Sequence, residues 1–523
     1  MSKRGRGYML LVVVVVALGW YVWHHRFGIP EDFTDPSAEL KYGSIGSDHP
    51  LAMAPLPYWI FKVLPDLFAP SEVIPEGYGP RNGKQGYAAF GLVTEPSMPL
   101  ADGGKPGQMV FKRPIGVSKR TVLGVDLVGF NCSVCHLTTM RTSPDASAEI
   151  VLGGTGNTIN IEQLFLYMFG AIKDPRFNAD NVMAAVNKAA ASEKTELGLF
   201  QRLLYRYVAI PLIPKLLQAR QDAYFDFITI GSPNRLAPFG PGRVDTWAVY
   251  KRLYANPAQR TKTDAIVDFP PIWNGRARPA GMQMHWDGNT DVFEERNVIS
   301  ALAVIGRNVE YLDFPRVTRI AEISSGMLPP RYEDRVPLGS TAGEAPIAAD
   351  LAARGAILFK ANCAVCHASD GIRLGRVEPI ANLATDSERL EDFTNELAIS
   401  INQLGTDEWK LRKFKPQKGY VNNLLDGIWL RGPYLHNGSV PTLRDLLDKP
   451  ESRPKIFCRG SDVIDWQNVG FATKVVEFDD RALCDDLFLY DTTVKGNSNA
   501  GHTFGTKLDV DDKRALLEFM KTL

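Results

Sequence analysis

Two pentapeptides of the form Cys-x-x-Cys-His hold four of the six cysteines in this chain: Cys132-Ser133-Val134-Cys135-His136 and Cys363-Ala364-Val365-Cys366-His367. Two thiols so spaced and followed at once by a histidine make the attachment site of a c-type haem. The thiols add across the vinyl groups and the imidazole reaches the iron from the proximal side. A redox dithiol needs no adjoining histidine, and a structural zinc would have to take all four thiolates and leave both histidines unexplained. The reading is two covalently bound haem c groups held by Cys132, Cys135, His136, Cys363, Cys366 and His367.

What faces each iron from the other side decides between electron transfer and catalysis. After His367 the only methionine is Met520 on the last helical stretch, a poor place for a ligand loop. Two histidines remain in that half, His436 in Pro433-Tyr434-Leu435-His436-Asn437-Gly438 and His502 in Ala500-Gly501-His502-Thr503-Phe504-Gly505. Both sit in glycine-containing loops that permit close backbone approach to a planar group. His502 is preferred over His436 as the second metal ligand, and bis-histidine ligation suits electron storage. Either ring could instead bond a propionate or the backbone. Between His136 and His285 the sequence has no histidine, so a sixth ligand for the first iron would have to be a methionine, such as Met140, Met168 or Met183, or the distant His285. An open iron there is the simpler expectation.

The densest polar and aromatic stretch runs through Trp273-Asn274-Gly275, His285-Trp286-Asp287-Gly288-Asn289 and Phe293-Glu294-Glu295-Arg296. The Trp-Asp-Gly turn followed by an aromatic residue and glutamate resembles the bacterial di-haem cytochrome c peroxidase superfamily. So do Tyr434-Leu435-His436-Asn437-Gly438-Ser439 with Thr442-Leu443, and the closing segment Leu508 to Leu523. That resemblance implies Glu294 as a distal acid–base group. Trp273 and Trp286 are taken with it as catalytic or relay aromatics, against the commoner role of core packing. Asn289 stands where those peroxidases carry arginine, and Arg296 where they carry glutamine. No capping histidine follows His136. These departures place the chain nearer a divergent branch that includes rubber oxygenases and related di-haem oxygenases, in which the N-terminal haem is open and the C-terminal one bis-histidine.

The elements that position these residues are expected to be mainly α, forming two c-type cytochrome domains with long loops, plus an N-terminal transmembrane helix. Ala352 to Phe359 reads as an amphipathic helix feeding Cys363, whereas Val122 to Phe130 before the first motif looks less helical. Helical patterns cover Ile161 to Met168, Leu197 to Leu204, Val292 to Ile305 and Asp509 to Leu523. Residues 28 to 120, rich in proline and glycine, are expected to wrap the first haem domain, and Pro329 to Ala345 to link the two. The domains are then residues 1–27 as signal anchor, 28–330 as the first haem domain and 331–523 as the C-terminal cytochrome c domain. No repeat is evident.

Tyr8 to Trp23 is almost wholly apolar, follows Lys3, Arg4 and Arg6, and lacks a small-residue cleavage site, which favours an uncleaved anchor with the rest exported to the periplasmic side of a bacterial inner membrane. There Cys458 and Cys484 are placed to close a loop of about 27 residues, worth about 3 kcal/mol. A net charge of zero offers nothing for nucleic acid. The function expected is an exported di-haem redox enzyme, peroxidase-like, with peroxide or dioxygen activated at the N-terminal haem and the C-terminal haem transferring electrons. The alternatives are a dioxygenase cleaving alkenes of an apolar substrate and a non-catalytic carrier serving an electron-donor protein.

Overall fold

The computed structural model describes residues 28–80, 82–95, 112–255, 264–337, 339–340, 346–477 and 480–523. Helix makes up 39% and strand 13%, so the expectation of a mainly α chain is corrected to a mixed one. The strands are short, two to six residues, and form six small sheets among the described residues. Alternation over so few positions gives little period-two signal, and that is why the sequence hid them. The expected N-terminal transmembrane helix is not shown. Residues 1–27 lie outside the described residues, and among the rest no helix is long and apolar enough to cross a membrane.

The largest sheet delivers the first haem motif. Its strands run in the order Ile29–Pro30, Val117–Val122, Val125–Phe130, Leu56–Pro57, all antiparallel. Leu123 and Gly124 both take positive φ and make the two-residue turn between the central strands. The second of these strands runs directly into Cys132. The segment expected to wrap the surface thus lies partly in the core: Ile60, Phe61 and Leu64 of the helix Tyr58–Leu67 are buried with Val128 and Phe130.

The second motif is fed by the helix Ala349–Asn362, which crosses the closing helix Val510–Met520. A Cβ on Gly355 would lie 2.0 Å from the Ala515 carbonyl oxygen, so only glycine allows the two backbones to approach this closely. Phe359 and Phe519 pack beside the crossing with ring centres 5.1 Å apart. Asp509 caps the closing helix by accepting from the Asp512 N–H at 2.8 Å.

The cores do not separate at residue 330. One cluster joins Trp247, Tyr250 and Leu302 to Phe393, Leu397 and Trp409, and another joins Met140, Val151 and Trp273 to Trp429, Leu430 and Leu516. Buried ion pairs cross in the same way: Asp287 with Arg389 at 3.2 Å, Asp268 with Arg459 at 2.9 Å and Lys251 with Asp392. Tyr332, inside the expected linker, is buried edge-on against Trp429 and Trp466. Cys458 and Cys484 are disulfide-bonded.

Candidate functional site

The first motif is held from below by side-chain capping. Asn131 accepts from the Ser133 N–H at 2.9 Å and donates to the Gly43 carbonyl at 3.0 Å, and the Ser133 hydroxyl donates to Leu40 O at 2.8 Å. These bonds fix the 3-10 turn Cys132–Val134 against the helix Pro36–Tyr42. His136 follows, its carbonyl accepting from the Gly153 N–H at 2.8 Å. The His136 Nδ1 is buried, with the Gly154 and Pro270 backbones beside it but no hydrogen bond of good geometry. Burial and the Arg296 guanidinium hold this imidazole neutral, down to about 4. The aromatic ring beside it is Phe269, edge-on at 6.1 Å between centres.

The second motif shows a different arrangement. The His367 Nδ1 is 2.7 Å from the Asn423 carbonyl. That acceptor fixes the proton on Nδ1 and leaves Nε2 with its lone pair, as a metal ligand requires. Across from it stands His502, with ring centres 6.4 Å apart and planes inclined by 47°. A metal–imidazole bond of about 2 Å and a ring centre about 1 Å beyond its nitrogen put two imidazoles on opposite sides of one metal roughly 6 Å apart. The pair therefore fits an iron between its rings. His502 is itself held by backbone strain and contacts: its φ is 46°, its N–H donates to Leu383 O at 2.8 Å, and burial pushes the ring down to about 4.

One connected cavity is lined by Cys363, Cys366, His367 and His502, and also by Phe269, Trp286 and Arg296. The last group adjoins the first motif, since Arg296 acts electrostatically on both Cys132 and His136. The described residues thus fit a covalent macrocycle at the second motif, with thiols in place, a neutral imidazole and a mostly apolar enclosure. Cys132, Cys135 and His136 do not line this cavity themselves but adjoin it through Phe269 and Arg296.

The remaining sequence candidates are distributed unevenly. His436 also lines the cavity, but its ring stacks on Tyr420 at 4.0 Å with its Nε2 3.0 Å from the Tyr420 hydroxyl, whereas the ring paired with His367 is that of His502. His285 also lines the cavity, with its Nδ1 2.8 Å from Asn289 Oδ1. Met140, Met168 and Met183 lie in the hydrophobic cores and line no part of the cavity. Trp286 lines the cavity and donates from Nε1 to Asp268 O at 2.8 Å. Trp273 is buried in the core beside it, donating to Asp426 O at 3.2 Å. Glu294 is exposed in the first turn of the helix Phe293–Ile305 and does not reach the cavity. Two residues along a helix turn the side chain by about 200°, so Arg296, not Glu294, faces inward.

Arg373 lines the cavity in its ion pair with Glu378, and three further arginines that sequence reasoning did not assign to the site enter it: Arg278, Arg296 and Arg431. Burial lowers all three, Arg296 and Arg431 to about 10. Asn423, Tyr420 and Asp268 were also missed. A backbone-directed asparagine or a buried arginine has no signature in a single sequence, because either is more often a surface residue.

Comparison with known proteins adds a partial match. Residues 419–458 match the family described as RoxA-like, cytochrome c-like. That stretch contains Asn423, which holds His367, and Tyr420 with His436. Two proteins of Sinorhizobium fredii are similar in part. Uncharacterized protein y4iM is 29% identical over 300 residues, 49% of this chain and 64% of its own length. Uncharacterized protein y4iJ is 40% identical over 116 residues, 20% of this chain and 18% of its own. The chain therefore spans less than two thirds of the length of either relative. The family match is to the RoxA-like group of rubber oxygenase-type cytochromes and not to the peroxidase superfamily. This segment is cytochrome c-like, and with the two pentapeptides it implies covalently bound haem c.

Proposed function

We propose that the protein is a di-haem oxidoreductase of unequal sites, acting on dioxygen and an apolar, unsaturated substrate. The observation that carries this reading is the asymmetry between His367, paired with His502 at 6.4 Å, and His136, whose ring neighbour is Phe269. His367 and His502 would hold one haem, which would supply electron storage and transfer, and His136 would hold the other, which would supply a site for dioxygen. The residues around the second of these supply the rest. Phe269, Pro270 and Trp286 exclude water and present apolar surface to a hydrocarbon. Trp286, hydrogen-bonded to Asp268 O, fixes one wall and lies in the cavity shared with Cys363 and His367. Addition of both atoms of dioxygen across a carbon–carbon double bond, with scission to two carbonyl groups, consumes no external electrons.

Glu294 lies at the surface, and the carboxyls that do line the cavity, Asp268 and Glu378, are tied in ion pairs to Arg459 and Arg373. Among the described residues no unpaired acid of the lining stands ready to move the proton in peroxide cleavage, and so the oxygenase reading ranks above the peroxidase one. A peroxidase reading retains one support, the half-buried Arg296 guanidinium in the cavity, which can polarise a bound peroxide. The Cys458–Cys484 disulfide supports an oxidising compartment outside the cytoplasm.

The test is electron paramagnetic resonance of the purified ferric protein, followed by oxygen uptake with a polyisoprenoid. One high-spin and one low-spin signal, with one dioxygen consumed per pair of carbonyls formed and no added reductant, is the expected result. Two low-spin signals and no uptake would leave an electron carrier. Turnover only with hydrogen peroxide would establish the peroxidase reading.

A further inference from the structure

The chain from Leu199 to Tyr224 is one continuous helix interrupted by a π-turn at Tyr205–Ala209. Its inward face is Tyr205, Ile210, Ile213, Leu217 and Gln221, all buried. The step of five between Tyr205 and Ile210 is the extra residue of the π-turn, which comes just before Pro211, where the chain lacks a backbone donor. A helix seated on a core normally turns a polar face to solvent. Here the outward face is apolar as well. Leu199, Phe200 and Tyr207 are 76%, 65% and 67% exposed, and Leu203, Leu212 and Leu216 continue the stripe. The π-turn keeps these residues on one side over a length of about 26 Å.

The charge of the same stretch names what covers it. From Leu197 to Gln221 there is no aspartate or glutamate, while Arg202, Arg206, Lys215 and Arg220 lie along it. Arg206 pairs with Asp180 from the preceding helix at 2.6 Å, while Arg202 and Lys215 are exposed. A net charge of zero for the whole chain conceals this local excess. A second copy of the chain is a poor partner, since a twofold contact sets this cationic stripe against itself. An uncharged hydrocarbon has nothing to match the cations. A surface with apolar depth and anionic headgroups matches both features.

We propose that the exposed face of Leu199–Tyr224 docks in the interfacial layer of an anionic phospholipid bilayer, with Phe200, Leu203, Tyr207 and Leu212 inserted and Arg202 and Lys215 at the headgroups. The helix lies along the surface and does not cross it.

The test uses the full-length, haem-loaded protein carrying Leu212→Cys with a nitroxide attached, and wild type treated identically as background. Accessibility of the nitroxide to oxygen and to a water-soluble nickel chelate is read with vesicles of phosphatidylethanolamine and phosphatidylglycerol, and with phosphatidylcholine alone. The expected result is loss of chelate contact and gain of oxygen contact on the anionic vesicles only. Leu203→Glu with Leu216→Glu in the same labelled protein should raise the lipid needed for half-shielding on the order of ten-fold. Protein that sediments with the vesicles while the nitroxide stays open to the chelate would overturn the proposal, because another segment then binds. Shielding that depends on protein concentration without vesicles would overturn it in favour of a second copy. Shielding by polyisoprene particles but not by vesicles would assign the face to an apolar polymer instead.

Discussion

Trp286 and His436 hold the same place in two equivalent loops and meet on one residue. Each loop is closed by an isolated bridge, Met284 to Thr290 and Tyr434 to Val440. In each the residue after the bridge is left-handed, His285 at φ 62° and Leu435 at 67°, and the fifth residue is a glycine, Gly288 at 63° and Gly438 at 65°. Trp286 then falls in the register of His436. Trp286 Nε1 donates to Asp268 O at 2.8 Å, and the Asp268 N–H donates to His436 O at 2.9 Å. The Asp268 carboxylate in turn holds Arg459 at 2.9 Å. The two halves of the chain thus share a loop geometry, and the two loops are joined through one buried acid.

His502→Ala and His436→Ala separate the two candidate ligands. His502→Ala should convert the low-spin signal of the second haem to a high-spin one while the haem stays attached through Cys363 and Cys366. His436→Ala should leave the spin state unchanged and destabilise the fold by about 1–3 kcal/mol, through the lost contact to Tyr420. Resonance spectra and denaturant midpoints read both.

Asp268 gives stability a pH dependence of known sign. Burial raises its carboxyl to about 6, against the opposing pull of Arg459 and Arg243. A folded-state value above the unfolded one means that the native state holds the proton longer. The stabilisation is therefore complete below about pH 4 and is lost as pH rises through about 6. The unfolding free energy of wild type relative to Asp268→Asn should fall by about 2–3 kcal/mol between pH 4 and pH 7. Denaturation of both proteins across that range measures it, and a flat difference would refute it.

The pentapeptides and the helices around them were open to reading because covalent attachment fixes residue type and spacing together, and because helices such as Ile161–Ala171 and Val510–Met520 carry a full period of apolar positions. Other features were not. Glu294 and Arg296 differ only in helical phase, and a short motif does not carry phase. His436 and His502 share the same local chemistry, and tertiary contacts distinguish them: His502 faces His367, and His436 stacks on Tyr420. The two bridged loops share little sequence beyond glycine, because their likeness lies in backbone angles.

Gly355 tests the helix crossing behind the second motif. Gly355→Val places side-chain atoms against the Ala515 carbonyl, which a Cβ alone would approach to 2.0 Å. The helices must then part, with a loss of about 3 kcal/mol or more. Gly355→Ala should cost less than valine but still destabilise, the reverse of its effect in an exposed helix, where alanine gains about 1 kcal/mol over glycine. Chemical denaturation of the two variants gives the order.

Arg296 sets the charge at the first haem site. It is half-buried in the cavity wall, it acts on both Cys132 and His136, and its side chain contacts that of its neighbour Asn297 at 2.7 Å, with no ion pair to a carboxylate among the described residues. A fixed positive charge in a low-dielectric site favours the reduced form of an adjacent iron. Arg296→Met, which keeps much of the volume and removes the charge, should lower the reduction potential of the His136 haem by several tens of millivolts, on the order of a ten-fold shift in its redox equilibrium. The His367 haem is governed by its own pair of imidazoles and should move less. Spectroelectrochemical titration resolves the two, and an equal shift at both haems would show that Arg296 acts through the shared cavity and not on the first site alone.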